Sequence, residues 1–96
     1  MKTKAKIMIV DDAEMNREIL MVILGDEYEY VQAENGRQAI HILQQDMNID
    51  LMLLDINMPE MNGFQVLDRM NTFHWINDIP VIMISSEEKK DVIERA

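Results

Sequence analysis

Three aspartates are the residues of this chain best placed to do chemistry. Asp11 and Asp12 directly follow the apolar run Ile7-Met8-Ile9-Val10, and Asp55 directly follows Leu51-Met52-Leu53-Leu54. Such runs suit parallel strands covered on both faces. Open parallel sheets take their ligands beyond the carboxyl ends of the strands, where the helices switch from one face to the other. If the two strands are neighbours, about 4.8 Å apart, the three carboxylates converge. Two unit charges ~5 Å apart repel by about 3 kcal/mol at an effective dielectric of roughly 20, so convergence calls for a cation. Oxygen donors alone, with no histidine or cysteine beside them, suit Mg²⁺, with Mn²⁺ as a substitute. The plainer alternative is that the aspartates only cap the helices that follow them, which is chemically reasonable for Asp12 ahead of Ala13-Glu14.

Two further segments bring polar groups toward the same end. Ser85-Ser86 directly follow Val81-Ile82-Met83-Ile84, so a hydroxyl stands beside Asp55 if strand four neighbours strand three. An N-cap for a helix starting near Glu87 is the competing use of these serines. Ser86 is read in that role, which leaves Ser85 for the site. The segment Asn57-Met58-Pro59-Glu60-Met61-Asn62-Gly63 forms a loop after Asp55, shaped by Pro59 and Gly63, that can bring a main-chain carbonyl to a metal.

The elements that must position these groups follow from periodicity. Short apolar runs alternate with helical patterns, a βαβ rhythm that predicts an α/β fold with a parallel sheet. Tyr28 to Ala33 alternates aromatic or aliphatic residues with Glu29 and Gln32, as a half-exposed strand at a sheet edge would. Met15, Ile19, Val22 and Ile23 recur at helical spacing, with Gly25 at the C-terminal cap. Asn35-Gly36 opens a second helix whose inner face is Ala39, Ile40, Leu43 and Met47. Phe64, Leu67 and Met70 give the third its stripe. A fourth begins near Glu87, and Val92, Ile93 and Ala96 are still in register at the last residue. The ten methionines are scattered over strands and helices, where Met commonly fills gaps in a core.

Composition narrows the function classes. A chain of 96 residues makes one small domain, able to bury roughly 60 to 65% of the surface its unfolded chain exposes. No apolar run approaches the ~20 residues that cross a bilayer, and no secretory signal is visible, so a cytoplasmic location is expected. Absence of cysteine excludes disulfides and thiolate metal sites. Nine basic against eighteen acidic residues, a net charge of −9, oppose direct nucleic-acid binding. His41 and His74 are read as surface or packing residues.

Through Val10-Asp11-Asp12, Leu53-Leu54-Asp55-Ile56-Asn57-Met58-Pro59, Asn62-Gly63 and Pro80-Val81-Ile82-Met83-Ile84-Ser85-Ser86, the chain resembles the receiver domain of two-component response regulators over nearly its whole length. The resemblance implies a doubly wound parallel sheet of flavodoxin-like strand order 2-1-3-4. It implies that Asp55 is the phospho-acceptor, taking a phosphoryl group from the phosphohistidine of a histidine kinase or phosphotransfer protein. Asp12 and Asp55 would ligate Mg²⁺ directly, Asp11 largely through water, and Asn57 through its main-chain carbonyl. Ser85 takes the place of the family's switch hydroxyl, and Ser86 a place usually held by a small residue. On this reading the protein is a phosphorelay signalling domain, at most self-phosphorylating from small donors and self-dephosphorylating, with its output in a domain or partner outside these residues.

The family also carries a lysine at the end of a fifth strand, and no segment of these 96 residues matches it. Lys89 and Lys90 fall at the start of the expected fourth helix. Residues 1–96 are therefore expected to be a single, C-terminally incomplete receiver domain lacking the fifth strand and helix, with an exposed strand-four edge open to self-association. Three other readings compete. A haloacid-dehalogenase-like phosphohydrolase would need a second acid two residues after the nucleophile, where this chain has Asn57. A flavodoxin-like nucleotide binder would want a small-residue phosphate loop where Asp11-Asp12 stand. A receiver-like interaction module that is never phosphorylated is the stronger rival.

Overall fold

The computed structural model describes residues 4–45 and 48–84. Strands β1 (Ala5–Val10), β2 (Tyr28–Ala33), β3 (Leu51–Asp55) and β4 (Val81–Ile84) alternate with helices α1 (Glu14–Leu24), α2 (Gly36–Gln45) and α3 (Gly63–Thr72), and a short 3-10 helix, Trp75–Asn77, leads into β4. Every pairing is parallel and the order is β2-β1-β3-β4, as the resemblance implies. The expected fourth helix, together with Met47, Ser85 and Ser86, lies outside the described residues.

Alternation along the interior strands explains why their sequences are apolar at every position, because successive side chains leave a strand on opposite faces. Ile7, Ile9 and Leu53 pack with Leu20 of α1 on one side of the sheet, joined by half-buried Met21 and Leu24. Met8, Val10, Met52 and Leu54 pack on the other side with Ala39, Ile40 and Leu43 of α2 and Val66 and Met70 of α3. β2 has one described neighbour and keeps Glu29 and Gln32 exposed, in line with its expected edge position. β4 likewise pairs only with β3 among the described residues, and Ile82 is 51% exposed.

Two helices are rotated relative to the stripes expected from sequence. In α1 the inward residues are Arg17 and Leu20, while Met15 is 70% and Val22 81% exposed. Residues 19 to 24 are apolar at every position, so apolarity alone does not set the phase of this helix. In α3 the buried positions are Gly63, Val66 and Met70, and Phe64 faces solvent. The start of α3 fixes that phase. Asn62 accepts from the Gln65 amide and Gln65 reaches back to the Asn62 amide, a complete capping box. Gly63 lies directly on the end of β3, donating its amide to the Ile56 carbonyl at 2.9 Å. With 3.6 residues per turn, an inward Gly63 brings 66, 67 and 70 inward and sends 64 outward.

The close approach at Gly63 leaves no room for a side chain. A Cβ there would lie 2.7 Å from the Asp55 carbonyl oxygen and 2.9 Å from the Ile56 Cα, and backbone atoms of a central strand cannot easily yield. Gly63→Ala is therefore expected to destabilise the fold by about 1–3 kcal/mol, the usual range for overpacking. The check is thermal melting, which should fall by several degrees per kcal/mol in a domain of this size.

A second closure joins α1 to β2. Gly25 takes a positive φ of 91°, and its amide donates to the Met21 carbonyl. The Tyr30 hydroxyl donates to the Gly25 carbonyl at 2.5 Å. Burial, with contributions from Tyr28 and Asp26, raises the Tyr30 pKa above its ordinary value of 10.0. The folded state thus holds the phenolic proton more tightly than the unfolded chain. Its contribution to stability is present below the unfolded pKa and is lost as pH rises through the folded one. Tyr30→Phe should show a smaller loss of melting temperature above pH 10 than the unaltered chain, measured across an alkaline pH series.

Candidate functional site

Parallel registration of β1 on β3 pairs Val10 with Leu54, so the next residue of each strand, Asp11 and Asp55, emerges at one end of the sheet. One carboxylate oxygen from each of Asp11, Asp12 and Asp55 lies within 4.8 Å of the others. The predicted convergence is present. Asp11 and Asp55 are 1% and 2% exposed, whereas Asp12 faces solvent. The cluster thus has two carboxylates held in the protein and one at its mouth.

Local hydrogen bonds hold these groups in place. The Asp11 amide donates to the Ala33 carbonyl of β2 at 3.1 Å, and an Asp11 side-chain oxygen accepts from the Ala13 amide at 2.9 Å. Asp55 accepts from the amide of Asn57 at 3.1 Å. α1 begins at an Ala13 N-cap that has no side-chain cap bond. The N-cap position is thus held by Ala13 and not by Asp12, and the side chain that meets a backbone amide at the start of this helix is that of Asp11.

Asn57 is exposed and adjoins the cluster through its amide. The loop that follows turns sharply, with the Met61 amide donating to the Pro59 carbonyl at 2.7 Å and Glu60 at φ 66°. A left-handed glutamate is uncommon outside tight turns, and nothing in the residue type announces it. β4 neighbours β3, with Ile84 opposite Asp55 and the Ile56 amide donating to the Ile84 carbonyl at 3.1 Å. The condition set for Ser85, that strands three and four be neighbours, is met, while Ser85 itself lies outside the described residues.

Sequence reasoning passed over Arg17. It is only 9% exposed, its Nη1 donates to the Asp11 carbonyl at 2.7 Å, and its Nε donates to Gln32 Oε1 at 3.0 Å. The signal was its position, three residues before Leu20 and seven before Leu24, on the face of α1 that turns inward.

The donor set fits a hard dication. Three carboxylates offer oxygen alone, and an exposed mouth at Asp12 leaves room for retained water and for oxygens of an incoming group, as Mg²⁺ prefers. Among the described residues no helix is long and apolar enough to cross a membrane.

Comparison with known proteins agrees with this geometry. Residues 7–96 match the family described as the response regulator receiver domain. Two-component response regulator ORR3 of Oryza sativa subsp. indica is 31% identical over 90 residues, spanning 93% of this chain and 69% of that protein. Response regulator RR06 of Streptococcus pneumoniae serotype 2 is 41% identical over 81 residues, spanning 83% of this chain and 36% of that protein. Among solved structures, the N-terminal domain of a response regulator receiver protein from Methanoculleus marisnigri JR1 superposes with a TM-score of 0.75 at 32% identity, covering 90% of this chain and 74% of that one. The parallel β2-β1-β3-β4 sheet, the acidic cluster at its carboxyl end and the match over residues 7–96 have one common explanation: this chain belongs to the response regulator receiver domain family.

Proposed function

We propose that this domain accepts a phosphoryl group on Asp55 from a phosphohistidine of a histidine kinase or phosphotransfer protein, in a Mg²⁺-dependent signalling step. The observation that carries this reading is the approach of Asp11, Asp12 and Asp55 to within 4.8 Å of one another at the carboxyl ends of adjacent parallel strands. A carboxylate oxygen of Asp55 attacks phosphorus in line. The P–N bond of the donor breaks, its electron pair stays with the imidazole nitrogen, which then takes up a proton, and an aspartyl phosphate remains. Mg²⁺ held there would supply charge neutralisation at the phosphoryl oxygens.

The chain's own residues have separable parts in this reading. Asp12 and Asp55 would hold the ion directly, Asp11 would act on it through water, and Asn57 would supply its main-chain carbonyl. The Asn57 amide donates to one Asp55 carboxylate oxygen, which limits the rotation of that carboxylate before attack. Ser85 serves as the switch hydroxyl, donating to the phosphoryl group and passing the change to an output domain or partner. Asp55 is used up as an acceptor rather than regenerated within the step, so the domain works as a signalling component. A cytoplasmic setting, where kinases and ATP are found, accords with this role.

Treatment with acetyl phosphate and Mg²⁺ should add one phosphoryl mass to the intact protein, and chelation of the metal or Asp55→Asn should abolish it. An adduct that survives Asp55→Asn would overturn the assignment of the acceptor. Asp12→Asn is expected to weaken Mg²⁺ binding by at least tenfold, a change on the order of 1.4 kcal/mol, read by calorimetric titration. Trp75 lies in the connection entering β4, at the amino end of the sheet and so remote from the aspartates, which makes calorimetry the better reporter than tryptophan emission.

A further inference from the structure

We infer that Arg17 is a positioning residue for the acidic centre: its guanidinium fixes the Asp11–Asp12 peptide plane, and with it the direction of the Asp12 carboxylate, by anchoring that plane to β2 through Gln32. The inference rests on the metal-dependent reading above and adds a residue to it.

The geometry is that of a two-point clamp. Nη1 of Arg17 meets the Asp11 carbonyl at 2.7 Å and Nε meets Gln32 Oε1 at 3.0 Å, so one rigid, planar group joins the end of β1 to the neighbouring strand. A peptide unit is planar, so holding the Asp11 C=O also sets the Asp12 N–H and the direction in which the Asp12 chain leaves. The other side of Asp11 is already tied, amide to Ala33 carbonyl. Asp12 itself is exposed and repelled by two nearby carboxylates, so its position depends on the backbone beneath it. Short bonds from an ionised donor are about twice as strong as neutral ones, which suits a group holding a backbone against that repulsion.

Charge alone argues the other way. Guanidinium stays protonated at any ordinary pH, and a cation beside a cation site opposes metal binding. Positioning and charge therefore have opposite signs and can be separated by substitution. Lysine keeps the charge but cannot reproduce the fork that reaches both acceptors. Methionine keeps much of the bulk and removes the charge. Gln32 is itself exposed although it faces α1, so Gln32→Leu releases one anchor without burying a new side chain.

The test is calorimetric titration of Mg²⁺, well below the melting temperature, into the unaltered chain, Arg17→Lys, Arg17→Met and Gln32→Leu, with Asp12→Asn as reference. Positioning predicts that both Arg17 variants bind about tenfold more weakly, within the range for groups that orient metal ligands, and that Gln32→Leu weakens binding in the same direction. Equal affinity in Arg17→Lys with tighter binding in Arg17→Met would reduce Arg17 to a charge effect and overturn the inference. Lower melting temperatures with unchanged Mg²⁺ affinity would make it merely structural and overturn it equally. Should the Arg17 variants not fold, Gln32→Leu decides alone: weaker Mg²⁺ binding supports the clamp, unchanged binding overturns it. An unaltered chain that binds no Mg²⁺ overturns the functional reading beneath, whereas binding lost in Asp12→Asn and kept in every clamp variant overturns this inference only.

Discussion

The fold brings three negative charges together, and that constraint organises the rest of the structure. Asp11, Asp12 and Asp55 sit within 4.8 Å of one another, two of them almost out of contact with solvent. Mutual repulsion on this scale is comparable to a good part of the stability of a small domain. It is tolerated because the strands beneath are fixed by the core. Met8, Val10, Met52 and Leu54 on one face, and Ile7, Ile9 and Leu53 on the other, hold β1 and β3 in register whatever their last residues carry. Packing supplies the rigidity, and the charges are arranged at its end.

From this follows a division of labour between side chains and backbone. Around the site the contacts that set direction are largely main-chain ones: Asp11 amide to Ala33, Ala13 amide to Asp11, Asn57 amide to Asp55, Ile56 amide to Ile84. Backbone amides thereby fix carboxylate oxygens of Asp11 and Asp55 in direction. Arg17 fits the same scheme, since it meets a carbonyl and an amide side chain.

Much of this was legible in the sequence because strands buried on both faces admit few residue types. Ile7 to Val10, Leu51 to Leu54 and Val81 to Ile84 could be read as strands, and the aspartates that end two of them stood out against the apolar background. The alternation of Tyr28 to Ala33 correctly pointed to an edge. Helix faces were less legible. α1 has apolar residues on more than one side, so periodicity points Met15 and Val22 inward although they are exposed, and it points Phe64 to the core where the Gly63 contact turns it outward. Arg17 is not marked as buried by its sequence, because charged residues belong at the surface by default, and only tertiary structure reveals the carbonyl that it meets. The left-handed turn at Glu60 leaves no mark on sequence, since it is imposed by the ends of the loop.

The sheet order has a further consequence, in time rather than in space. Within the described sheet β1 lies between β2 and β3, and β3 between β1 and β4. The acids therefore stand at the ends of the two interior strands. Edge strands open first in local fluctuations, whereas strands paired on both sides exchange their amide hydrogens only through larger openings. Fraying of β2 or β4 leaves the β1–β3 ladder intact, and with it the spacing of Asp11 from Asp55. The spacing of Asp11 from Asp55 thus persists through openings at the sheet edges, whereas the direction of Asp12, anchored to β2 through Arg17 and Gln32, loosens with them.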